Sequence, residues 1–172
     1  MEIATGWPPL DSVGPSIDQE QLTELEAHIG AVLPEAYAAF LLAMNGGGAP
    51  ASHCVFDVQL AGQPGSRVLS NFLSAFDPDD DSDLVEQWDR SRAWLPGELM
   101  PIAADDRNGQ LLLGVTGARR GELWFLDDAF EVGEGADLFL PWYERSDVCL
   151  VAPSFEAFIA LLRPLEPAEF GN

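Results

Sequence analysis

At 172 residues the chain has the size of one domain, and its 47% apolar and 10% aromatic content is enough for one packed core and excludes a disordered polymer. Twenty-nine acidic side chains face eight basic ones, all of them arginine, for a formal net charge of −21. That excess argues against nucleic acid or an anionic membrane as ligand and favours a basic protein partner.

Met1 to Leu10 has neither the basic start nor the apolar run of a signal peptide, and no stretch approaches the roughly 18 apolar residues of a membrane span, so the expected location is the cytoplasm. The only cysteines, Cys54 and Cys149, lack the paired spacing of a zinc site and lie in apolar segments, where buried thiols are expected.

In chain order, an irregular lead over residues 1–15 ends at Ser16, with Gln19 three residues on, a capping-box spacing that starts a helix. Leu22, Leu25 and Ile29 form its apolar stripe, and Gly30 ends it. Pro34 suits the first turn of a second helix, with Tyr37, Phe40, Leu41 and Met44 on one face and Asn45-Gly46-Gly47-Gly48 as its stop. Cys54, Phe56, Val58 and Leu60 alternate with polar residues as in a strand, and a shorter strand includes Arg67 to Leu69. The acidic stretch Asp77 to Asp83 reads as a loop, after which Asp83 and Glu86 can cap a third helix carrying Leu84, Val85, Trp88 and Leu95. Met100 to Ala104, Gln110 to Val115 and Glu122 to Leu126 form an antiparallel meander, turned at Asn108-Gly109 and Arg120-Gly121. Leu138 to Tyr143 and Val148 to Val151 are candidate further strands. A last helix begins near Ser154, buries Phe155, Phe158, Ile159 and Leu162, and closes by Pro164. The order predicts an α+β fold: one domain over residues 1–172, an antiparallel sheet flanked by helices, with a tail over 164–172. Leu25, Tyr37, Phe40, Phe125 and Phe158 are expected in its core.

Three blocks in this order resemble the SUKH superfamily, which includes fungal cell-wall-synthesis regulators and many bacterial immunity proteins. The first is Ile29-Gly30, Leu33-Pro34, Tyr37, Phe40-Leu41 and Asn45-Gly46-Gly47. The second is Leu99 to Ala103 with Asp105, Asn108-Gly109 and Leu123-Trp124-Phe125, and the third is Ala152 to Phe155 with Phe158 and Leu161-Leu162. The resemblance spans Ile17 to Leu162 and implies an α+β fold and protein–protein binding, with no catalytic residues carried over. The Asp-rich stretch, Gly117 to Gly121 and Asp127 to Asp137 depart from it.

The residues themselves argue against chemistry. Carboxylates are abundant, but abundance is not the burial beside a partner that makes an acid–base pair. Neither cysteine has an evident helper, since His53 and Cys54 point to opposite faces of a strand and His28 reads as a surface position on the first helix. Asp77, Asp79, Asp80, Asp81 and Asp83 miss the EF-hand spacing: counted from Asp77, position 6 is Ser82 and position 12 is Trp88, and from Asp79 position 12 is Arg90. That stretch reads as a solvated loop, a partner-facing patch or a weak cation site. No catalytic residue, cofactor or metal ligand is therefore assigned.

The expectation is a non-catalytic acidic immunity protein that binds a cognate basic toxin, such as a nuclease, the alternative being a scaffold or regulatory adaptor for an endogenous protein. The partner-binding candidates are Asp77, Asp79, Asp80, Asp81 and Asp83, followed by Asp127, Asp128, Glu131 and Glu134, because loops tolerate change and carry recognition. For the second group, solubility alone is an equal reading.

Overall fold

The computed structural model describes residues 6–7, 10–50, 54–79, 83–127, 140–167 and 169. Helix α1 (Gln19–Ile29) starts two residues later than the Ser16 signal implies, because Asp18 forms the capping box with Gln21. Its carboxylate accepts the Gln21 N–H at 2.9 Å and Gln21 Oε1 accepts the Asp18 N–H at 3.1 Å. Ile17 and Leu22, in hydrophobic-staple positions around that cap, are both buried, which selects Asp18 over Ser16. Gly30 ends α1 at φ 80°, as its left-handed C-cap. Helix α2 (Glu35–Ala43) follows Pro34 and buries Tyr37, Phe40 and Leu41.

The sheet is open and entirely antiparallel. Strands β1 (Gly47–Gly48), β3 (Gln63–Phe72), β4 (Leu99–Asp105), β5 (Gln110–Gly114), β6 (Leu123–Leu126) and β7 (Val148–Ala152) lie side by side in that order, and β2 (Val55–Leu60) pairs with the first half of β3. Strand β3 is far longer than Arg67 to Leu69. Its first residues, Gln63 to Gly65, are exposed and carry no hydrophobic alternation, and the two-residue turn before them is Ala61-Gly62, with φ 52° and 74° in place of the usual Asn-Gly. The backbone of Arg163 closes the free edge of β2 through two 3.0 Å hydrogen bonds with Val55, and its guanidinium joins Asp57 and Glu169.

Helix α3 (Leu84–Ser91) ends before Leu95 because Arg92 turns back: its guanidinium donates to the carbonyls of Trp88, Gly97 and Leu99 and stacks 3.4 Å from the Trp88 ring centroid. Of the candidate strand Leu138 to Tyr143, residues 138 and 139 lie outside the described residues, and Trp142–Glu144 is a 3-10 turn instead. Pro141 opens that turn, and with no N–H to give it cannot extend a ladder. Helix α4 (Phe155–Leu161) is capped by Ser154, whose hydroxyl accepts the Ala157 N–H.

Among the described residues, two apolar clusters fill the fold. On the inner face of the sheet, Met100, Ile102, Leu111, Leu113 and Phe125 meet the apolar faces of the helices, and Leu25, Tyr37, Phe40, Phe125 and Phe158 are all fully buried. Phe40 is central, with ring centroids 4.8 Å from Phe72, 5.3 Å from Phe155 and 5.4 Å from Trp7. On the outer face, Leu99, Leu112, Trp124, Leu126 and Val148 form a smaller cluster with Leu95, against which Trp142 and Tyr143 pack. Cys54 and Cys149 are buried free thiols.

Phe40→Ala is expected to lower stability by about 3–5 kcal/mol, since the surrounding rings cannot close over the void. Tyr37 gives the contrast: its hydroxyl is buried without a hydrogen-bond partner, and burial pushes its pKa up. Tyr37→Phe is accordingly expected to leave urea stability unchanged or raise it by about 1 kcal/mol.

Candidate interaction surface

The acidic loop springs from a fixed base made by one side chain. Asn45, fully buried at the end of α2 with φ 47°, accepts the Ala75 N–H at Oδ1 (2.9 Å) and donates from Nδ2 to the carbonyls of Ala75 (2.8 Å) and Pro15 (2.7 Å). It thereby joins the N-terminal lead, helix α2 and the segment leaving β3. Beside it Gly47, at φ 124°, lies against the lead so closely that a Cβ would stand 2.0 Å from the Ser12 carbonyl oxygen. Beyond Ala75 the loop rejoins the framework where the Leu84 N–H donates to the Ser74 carbonyl at 2.8 Å.

Within the loop the carboxylates divide their duties. Asp83 caps α3, its Oδ1 accepting the N–H groups of Val85 (2.9 Å) and Glu86 (3.4 Å), while its Oδ2 accepts the Asp77 N–H at 3.0 Å. Asp77, half-buried, accepts the Asp79 N–H at 3.0 Å. Asp79 is exposed. Thus Asp77 and Asp83 shape the loop and Asp79 faces solvent, whereas Asp80 and Asp81 lie outside the described residues.

The second acidic segment begins differently from a solvated loop. Asp127 is buried at the end of β6, and its Oδ2 accepts Arg67 Nη2 at 2.5 Å. Arg67 Nε stands 3.4 Å from Asp105 Oδ2, and its guanidinium carbon lies 5.6 Å from the Phe125 ring centroid. Burial pushes the Asp105 carboxyl above the usual range, opposed by the N–H groups of Arg107 and Gly109 on Oδ1 and by Arg67. The Asp127 N–H donates to the Asp147 carbonyl at 2.9 Å, and Arg145 grips the Asp147 carboxylate at 2.9 and 2.5 Å. Both flanks of the segment are therefore held together. Asp127 belongs to that base, not to a free loop tip; Asp128, Glu131 and Glu134 lie outside the described residues.

These pairings use up cations. Arg67, Arg90, Arg119, Arg145 and Arg163 each pair with at least one carboxylate, and Arg92 and Arg120 donate to backbone carbonyls. Meanwhile Asp18, Glu20, Glu24, Glu35 and Asp106 are exposed. His28 Nε2 lies 2.8 Å from Asp89 Oδ1 on the surface of α1, a neighbour its sequence position did not reveal. Among the described residues, no group of three or more His, Cys, Asp or Glu side chains is placed to hold a metal ion, and no helix is long and apolar enough to cross a membrane.

Residues 16–161 match the model of the SMI1 / KNR4 family (SUKH-1). The chain belongs to the SUKH-1 family. The matched span runs from the residues before α1 to the last residue of α4, so it contains the whole sheet and both acidic segments of this SUKH-1 domain. No curated protein matches the chain.

The Asn45 side chain was missed in the sequence because Asn-Gly-Gly after a helix is fully explained as a C-cap. Its distant partners, 30 residues away on either side, left no local signal. Asn45→Ala is expected to lower the urea midpoint by the equivalent of roughly 2–5 kcal/mol, since it strands the buried N–H and C=O of Ala75 and puts alanine at positive φ. Asn45→Asp keeps the acceptor but turns an oxygen toward two carbonyls, so it is expected not to restore stability.

Proposed function

We propose that this SUKH-1 domain is an immunity protein that acts in the cytoplasm, binding a basic protein toxin and blocking its active-site cleft without chemistry. The observation that carries the reading is family membership joined to a net charge of −21 whose few compensating arginines are largely spent within the framework. A surface of uncompensated carboxylates attracts a positively charged cleft, such as that of a nuclease, and competes there with its polyanionic substrate. The contact surface proposed is the pair of acidic segments, led by Asp79, Asp80 and Asp81, with Asp77 and Asp83 holding the first in shape. Asp128, Glu131 and Glu134 extend it, carried by the base at Asp127.

Co-expression with a basic toxin domain from an adjacent reading frame, if that frame encodes one, tests the reading: rescue of growth supports immunity. No rescue, with stable binding to a housekeeping protein, supports the adaptor alternative. In stopped-flow mixing with the toxin, combined Asp79→Asn, Asp80→Asn and Asp81→Asn is expected to slow association roughly three- to tenfold at low salt and flatten its salt dependence, with little change in dissociation. An association rate indifferent to both salt and substitution would assign these carboxylates to solubility alone.

A further inference from the structure

The outer face of the sheet is covered on one side only. Cross-strand partners run Asn71, Ala104, Gln110, Leu126 and Val148 across β3 to β7, so all five side chains share a face. Leu126 and Val148 lie under Trp142 and Tyr143, but the Asn71 to Gln110 end does not belong to that cluster. There an open trough of about 410 Å³ remains, with α3 contributing Gln87 and the β4–β5 turn contributing Asn108. Its floor includes Pro101, Ala103 and Ala104. Two register shifts adjoin it, between Leu69 and Asn71 in β3 and between Pro101 and Ala103 in β4. Bulges of this kind re-aim side chains beside binding sites.

We propose that this trough binds the main chain of an extended, uncharged segment of a protein partner. Among the described residues that line it, four are carboxamides, Asn71, Gln87, Asn108 and Gln110, and none is charged, in a chain of which 22% of residues are charged. A carboxamide offers a donor and an acceptor with the geometry of a peptide unit and so pairs with a peptide backbone in both directions. Gln110 Oε1 has no hydrogen-bond partner but is buried, so it meets an incoming N–H only once the side chain turns toward the trough. These lining residues give a cation or anion no counter-charge, and the small Ala104, on the same face as Gln110, lets a backbone come close. The volume falls within the roughly 300–1,000 Å³ of ligand pockets, and the open shape suits a strand laid along it. The described lining includes none of the acidic residues, although Asn71 also borders the hollow that Asp77 and Asp79 line, and the proposal stands whether or not the partner is a toxin.

The test is a titration of the 15N-labelled protein with acetyl-tetraalanine amide, an uncharged extended peptide. The expected result is saturable shifts of the side-chain amide signals of Asn71, Gln87, Asn108 and Gln110, insensitive to added salt. Gln110→Leu is expected to weaken binding about fivefold, the loss of one neutral hydrogen bond. Gln87→Ala, on the surface of α3, is expected to weaken it in the same direction and decides the matter if Gln110→Leu disturbs the sheet. Absence of saturable shifts, shifts confined to other surfaces, or equal affinity in a folded variant would overturn the proposal.

Discussion

The three hydrogen bonds of the Asn45 carboxamide are the constraint on which the base of the acidic loop depends. Three chain segments, the lead near Pro15, the end of α2 and the start of the acidic loop at Ala75, are tied together by this one amide, beside the β1–β3 pairing and the hydrogen bonds of Gly48 with Asp11 and Ser12. Buried polar groups of the backbone must be satisfied somewhere, and where the chain leaves a strand its ladder no longer serves. One side chain with a donor and an acceptor at its tip supplies both needs of Ala75 at once. The loop can then carry a run of like charges, whose mutual repulsion works against order, because its two ends are anchored by neutral bonds at Ala75 and Leu84 that charge does not weaken.

The same separation governs the charges. An acidic chain with only eight cations could spread them over the surface, but here most are drawn into the framework. Arg67 links β3 to Asp105 and Asp127 across the sheet, Arg92 ends a helix, Arg145 secures Asp147, and Arg163 ties the segment after α4 to β2. Arginine suits these places because its planar fork meets two acceptors together and stays charged when partly buried. Consuming the cations this way leaves the outward carboxylates uncompensated, so stability of the framework and the negative field outside it arise from one distribution.

The periodicities in the sequence disclosed the elements that bury one face: the stripe of α1, the Tyr37 to Leu41 cluster, the alternation of β2 and the meander from Met100 to Leu126. Elements whose reason lies elsewhere in the chain were hidden. The first half of β3 has no pattern because it is a hairpin arm exposed on both faces, and the true cap of α1 is selected by burial of Ile17, two residues from an equally good Ser16 signal. The 3-10 turn at Trp142 is set by Pro141 and by packing on Trp124. For the proposed binding surface, composition pointed to acidic segments but could not tell a carboxylate that faces solvent, Asp79, from ones that cap a helix, Asp83, or neutralise a half-buried arginine, Asp127. That distinction is one of partners in space, and an acidic residue in a run of acidic residues carries no local mark of it.

Framework and acidic loop are expected to be energetically separate, joined at the Asn45 base. Native-state hydrogen exchange of the Ala75 amide tests it most directly, measured in the intact protein and in a variant whose residues 78–82 are replaced by a neutral Gly/Ser segment of equal length. The Ala75 N–H is expected to exchange only through global unfolding in both proteins, with equal protection throughout β3 and α3. Rapid exchange at Ala75 in the intact protein, or collapse of that protection when the acidic residues are removed, would contradict it.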